Sequence, residues 1–303
     1  MAQDLKSVLT PSLFKTLAEA RAPFSKSEPL DFNLVGQQIF GFSSYDSKIR
    51  GPAWPALVAL SETGLDNVPD LMSFLPDPSS PEFPQQCFGL VELLDQAPRA
   101  LFRGVDGRWI DAYFGVLSQR LADAWYALPA EQRPDAWPRW RDEVKVSFDY
   151  WVIVRFFFAA VFVHSESIQH QNIGLAMNEE LRQLAESRTG ETDPNRAERS
   201  VILSDTMAFA KDFSAGAPSG EDLTMQKWTF WFARLMDVHW PIINAYGRYP
   251  YRNAIIGRES TEEEKEWIEK TNHFAEASPE VAEHIRKDIA AGTWTPLGPE
   301  PRT

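Results

Sequence analysis

The stretch from Tyr246 to Glu264 carries Arg248, Arg252, Asn253 and Arg258 between two helical patterns, where connectors usually hold Gly, Ser and Asp. Three guanidiniums and a carboxamide, stiffened by Pro250 and flanked by Gly247 and Gly257, can converge on a carboxylate, phosphate or other anion. The same arginines could instead pin helix C-termini and bridge to acidic neighbours. A second polar block, His164-Ser-Glu166, ends the most apolar run of the chain, with His170 and Gln171 one turn further on. A histidine there titrates near neutrality and can move a proton, with Glu166 orienting it or acting itself. A buried polar knot tied to Arg252 or to backbone amides is the structural alternative. A third block, Asp95-Gln96-x-Pro98-Arg99, interrupts another apolar helix. Pro98 clashes with the carbonyl of Leu94, so the helix should kink and turn Asp95 and Gln96 inward. Arg99 and Arg103, one turn apart, could equally cross-link helices. His239, beside Trp240 and near Tyr246 and Tyr249, is either a pocket wall or a satisfied core histidine.

These blocks carry a resemblance. Tyr246–Glu264, Leu93-Leu-Asp-Gln-Ala-Pro-Arg-Ala-Leu-Phe-Arg-Gly104 and Phe162-Val-His-Ser-Glu-Ser-Ile-Gln-His-Gln171 resemble, in order, the three motifs of the family known as domain of unknown function 924, found in bacteria and fungi. The likeness spans roughly residues 88–270. It implies an all-helical fold related to tetratricopeptide repeats and a site at the three blocks, but names no activity. This chain departs from the pattern at Tyr251, where the family usually has His, and in longer connections after Gly104 and Arg188.

Composition narrows the classes. A formal charge of −13 argues against a nucleic-acid partner and against docking on an anionic membrane. Cys87 is the only cysteine, so neither an internal disulfide nor a cysteine-based zinc site can form, and its apolar surroundings suggest an inert buried thiol. His164, Glu166, His170 and His239 could in principle hold a metal. Their spacing is not the His-Glu-x-x-His pattern, and no metal or other cofactor is expected. Phosphate-binding glycine loops and the Gly-x-Ser-x-Gly elbow are absent. Trp151–Val163 is too short to span a bilayer and contains Arg155. The Met1-Ala-Gln-Asp-Leu-Lys start shows no secretory signal, so a cytoplasmic protein is expected.

The elements that must position these residues read as helices. Tyr113, Leu117, Leu121 and Trp125 form an i, i+4 series, and Thr10-Pro11, Asp193-Pro194 and Ser278-Pro279 are start signals. Ser260 and Glu263 read as a capping box. Sustained alternation is missing, so strands are not expected. Residues 23–87 read as an irregular Pro-rich arm with short helices wrapped on the core, and 297–303 as a frayed tail. The fold expected is a single all-α domain, 1–303, a multi-helix array.

Two functions fit. In the first, the chain is a cofactor-independent lyase, isomerase or cyclase acting on a small carboxylate- or carbonyl-bearing molecule, aromatic or polyketide-like bodies included. Arg248, Arg252, Asn253, Arg99, Gln171, Tyr251 and Trp240 would bind it, and His164, Glu166, Asp95 and His239 would move protons, all around one buried cavity. In the second, it is a non-catalytic helical scaffold for a ligand or peptide. A small-molecule partner is expected, and self-association is left open.

Overall fold

The computed structural model describes residues 4–40 and 42–302, so the start of the chain on which the signal-peptide reading rests lies partly outside them. Every regular element among the described residues is helical. In chain order these are α1 (Pro11–Arg21), α2 (Phe32–Phe40), α3 (Phe42–Thr63), α4 (83–101), α5 (107–126), α6 (Phe148–Val163), α7 (Ile168–Thr189), α8 (Ala208–Ala215), α9 (Met225–Asp237), α10 (Trp240–Tyr246), α11 (Glu262–Lys270) and α12 (Pro279–Ala290). Short turns of helix link them. The expected starts form as read. The Thr10 hydroxyl accepts from the Leu13 amide with Pro11 at the first helical position, and Asp193 and Ser278 cap the same way. The capping box forms one residue later than expected, on Thr261 and Glu264, because the Ser260 hydroxyl is taken by Asn253.

α6 is the axis. Fifteen of its sixteen residues are buried, and a helix apolar on every side must be wrapped by others. α4, α5, α7 and α9 do this, with Phe88, Trp125, Trp228 and Phe232 meeting α6 phenylalanines edge-on or tilted. Arg155, the one charge on the inner run of α6, is met by Asp135 and Glu180.

Two expectations are corrected. The 23–87 arm is not mainly irregular, since α3 runs for 22 residues straight through Pro52 and Pro55. Ile49, Ala53, Ala56, Leu57 and Leu60 share its buried face, and that burial outweighs the cost of the prolines. Only 23–31 and 64–82 keep to irregular turns and short 3-10 segments. The C-terminal tail is likewise docked and not frayed. The indoles of Trp54 and Trp109 donate to the carbonyls of Gly298 and Thr295, Leu297 enters the core, and Arg302 pairs with the buried Asp106. Carbonyls of a Pro-rich strand find few amide partners in their own chain, and buried indole donors meet that need.

α1 and α4 cross at Gly89, where a Cβ would sit 1.9 Å from the Phe14 carbonyl oxygen. Backbone cannot give way as a side-chain tip does. Gly89→Ala is therefore expected to cost about 3 kcal/mol through overpacking, read as a lower midpoint in urea with an unchanged slope.

Candidate active site

The expected kink at Pro98 appears as a π turn. Across Glu92–Gln96 the helix α4 widens by one residue, with the Ala97 amide bonded back to Glu92. A second π turn, Ile110–Phe114, widens α5 opposite it, with the Gly115 amide bonded to Ile110. Single π turns inside α-helices recur at functional sites because they re-aim side chains that a regular helix would bury or splay. Here each turn delivers one carboxylate, Asp95 and Asp111.

Asp95 is buried and accepts from His164 Nδ1 at 2.9 and 3.0 Å and from the Gln96 carboxamide at 2.6 Å. Burial alone would raise its carboxyl, but His164 and Arg99 together hold it well below the usual range, so it is ionised. His164 caps the end of α6, and its side chain is 21% exposed. Burial, reinforced by the Arg99 charge, lowers its pKa against the pull of Asp95. A neutral ring that donates from Nδ1 to Asp95 leaves Nε2 as a lone-pair acceptor, and no protein group among the described residues bonds it. His239 repeats the arrangement. Its Nδ1 donates to the Leu235 carbonyl at 2.9 Å and its ring lies 6.2 Å from that of His164. Burial, with His164 beside it, pushes its pKa down to about 3.

Two arginines complete the polar end. Arg252 is buried, donates to the His164 carbonyl at 2.9 Å, and stacks on Tyr249. Its Nε lies 3.4 Å from Asp111, and Arg99 lies 3.6 Å from the same oxygen and 3.5 Å from Asp95. These contacts are loose, and the Nε atoms of both arginines are buried without a hydrogen-bond partner. Behind Asp95 the polar chain continues inward. Gln96 accepts from Arg21 at 3.4 Å, and Arg21 and the Tyr45 hydroxyl both donate to the buried Glu92, at 2.7 and 2.9 Å.

This polar end opens on a cavity of about 670 Å³ whose other walls are apolar. Phe157, Phe232, Leu235 and Met236 come from α6 and α9, Phe209 and Phe213 from α8, Ile39 and Phe40 from α2, and Phe274 and Val281 from the start of α12 and the turn before it. Of the residues singled out from sequence, His164, His239, Gln96, Arg99, Arg252 and Tyr251 line it, and Asp95 stands directly behind His164.

The remaining residues do not reach it, which corrects the expectation of one shared cavity. Arg248 and Asn253 both close on Glu264, the N-terminal carboxylate of α11, with bonds of 2.7 and 3.1 Å. Glu166 is held by Arg258 and by the Tyr249 amide, each at 3.0 Å. The Gln171 carboxamide donates to the Val163 and Ser165 carbonyls, and Trp240 donates to Asn172. His170 bonds Ser165 and Asp123, away from the other histidines, and among the described residues no three His, Cys, Asp or Glu side chains are grouped to hold a metal ion. Asp111 escaped the sequence reading. Its signal was present, an acid inside the largely apolar run Trp109-Ile-Asp-Ala-Tyr-Phe114, where a charge is costly unless it is partnered.

These features define an all-helical protein whose apolar cavity ends in a cluster of ionisable side chains. The chain belongs to the family described as Bacterial protein of unknown function (DUF924), whose model matches residues 73–272. No curated protein and no solved structure matches it. No helix among the described residues is long and apolar enough to cross a membrane.

The histidines set the acid stability. Below its ordinary pKa of 6.5 an unfolded chain protonates His239, while the native state resists until about 3, so the unfolded state binds more protons and stability falls with pH across that window. His164 acts with the same sign, whereas the depressed Asp95 contributes only below the ordinary carboxyl range. We expect loss of about 1.4 kcal/mol per pH unit from His239 alone. His239→Asn, whose amide nitrogen takes the place of Nδ1 and can still donate to the Leu235 carbonyl, should flatten the Tm profile between pH 6.5 and 4, and an unchanged slope would refute the assignment.

Proposed function

We propose that the protein is an acid–base enzyme of the lyase, isomerase or cyclase type, acting on a small, largely apolar molecule that carries a carbonyl or carboxylate. The observation that supports this most directly is the His164–Asp95 pair opening on the cavity beside Arg252. Asp95 holds the ring in the tautomer whose Nε2 can accept a proton, and a base held neutral near its working pH is the effective form. Arg252 and Arg99 lie where negative charge would develop on a substrate oxygen, in a site where water competes little with them. Burial raises the Tyr251 phenol above its ordinary pKa, so it stays protonated and can return a proton. Tyr251 stands where the family usually has His, which gives this chain a neutral donor in place of a titratable one. The residues Arg248, Asn253, Glu166 and Gln171 serve in this reading as supports that hold the 246–264 segment against the end of α6.

The test is proton exchange. A panel of bicyclic and long-chain ketones and acids is incubated with the protein in heavy water, and deuterium at the carbon beside the carbonyl is read by mass spectrometry. Exchange is expected with the wild-type chain, and His164→Ala should lose about 100-fold or more of it while retaining a cooperative melt. Binding without any exchange would instead favour the scaffold reading.

A further inference from the structure

The charges at the polar end of the cavity cancel. Arg99 and Arg252 contribute two cations, and Asp95 and Asp111 two anions. Burial favours the neutral form of both His164 and His239, and a neutral ring that gives its Nδ1 hydrogen to Asp95 or to the Leu235 carbonyl adds no charge to the cluster. The neighbouring charges come in pairs: Glu166, 3.9 Å from Arg252, is closed by Arg258, and Glu92 behind Asp95 is closed by Arg21, so neither pair changes the sum. Two arginines beside a cavity suggest an acid as ligand, but here each is already matched by a carboxylate of the π turns. A carboxylate brought into this end would be an unmatched buried charge, and such charges cost several kcal/mol.

The spacing adds a second observation. Elsewhere in the same segment the arginines sit in tight pairs, Arg248 on Glu264 at 2.7 Å and Arg258 on Glu166 at 3.0 Å. At the cavity the same kind of pair is stretched to 3.4–3.6 Å, and the Nε of both guanidiniums lacks a hydrogen-bond partner. The cluster therefore holds its two cations in loose, incompletely bonded pairs with no net charge to spare. A neutral oxygen acceptor meets both conditions.

Resting on the acid–base reading above, we propose that the substrate is an uncharged carbonyl compound with an apolar body, a ketone or lactone, and that free carboxylates are excluded. Proton abstraction then keeps the site neutral. His164 Nε2 takes the hydrogen beside the carbonyl, the C–H electron pair moves into the new C=C bond, and the carbonyl oxygen becomes an enolate facing Arg99 and Arg252. The imidazolium that forms is matched by Asp95. Net charge in the cavity is unchanged throughout, so no buried charge is created that lacks a partner.

The inference is tested with two probes on one frame, 2-decalone and decahydro-2-naphthoate, using affinity by calorimetry and deuterium exchange in parallel. The wild-type chain is expected to bind the ketone at least about tenfold more tightly than the carboxylate. Asp111→Asn, which leaves one cation unmatched, should shift that ratio toward the carboxylate by a further factor of about ten. Equal or tighter binding of the carboxylate by the wild-type chain, or binding of neither probe, would overturn the inference without recourse to the variant. A folded Asp111→Asn chain with an unchanged ratio would overturn the charge argument. Tight ketone binding with no exchange above the protein-free rate would leave the substrate class standing and refute the acid–base reading instead.

Discussion

Asp95 lies inside the helical core with almost no contact with water, so its charge must be met by donors and cations, and the surrounding geometry follows from that need. Gln96 and His164 give it hydrogen bonds, and Arg99 gives it a counter-charge. Fixing Asp95 fixes the His164 tautomer, and the His164 carbonyl in turn receives Arg252. One buried carboxylate thus orients the His164 ring, and the same residue's carbonyl holds Arg252 from a distant part of the chain. Gln96 then ties the same group to Arg21 and Glu92, so that α1 as well as α4 and α6 depends on it. Removing a partner from such a set costs more than the bond lost, because the groups left behind stay buried.

Much of the fold was legible. Caps at Thr10, Asp193 and Ser278 and the apolar run of α6 are local signals, and they form as their chemistry requires. The long helix α3 was not legible, since Pro52 and Pro55 argue locally against it and only the burial of Ile49, Leu57 and Leu60 overrides them. For the site, charges placed in apolar surroundings pointed to His164, Asp95, Arg99, Arg252 and His239. What sequence could not supply was the pairing. Glu264 draws Arg248 and Asn253 away, and Arg258 takes Glu166, because the capping carboxylate of α11 and the end of α6 lie nearest them in space. Asp111 carried the same signal as Asp95 but had no flanking motif to call attention to it.

The family match covers most of the cavity but not all of it. The ionisable groups at its polar end and apolar walls such as Phe157, Phe209, Phe232 and Leu235 lie within residues 73–272, whereas Ile39, Phe40, Phe274 and Val281 lie outside. Part of the apolar wall is therefore built from segments beyond the stretch that the family model matches.

A π turn holds one residue more than an α-helix needs, and both cavity carboxylates stand on such turns. In terms of the gene, each is equivalent to a single codon inserted into a helix whose flanks keep their own core register. Removing one codon from 92–96 or from 110–114 would let the helix close to its ordinary pitch and swing that carboxylate about 100° around the axis. The scaffold and the charged cluster are thus nearly independent in length. A chain with plain helices here could fold the same way, yet Asp95 and Asp111 would no longer stand where Arg99 and Arg252 meet them, so one residue in each helix decides whether those cations are matched.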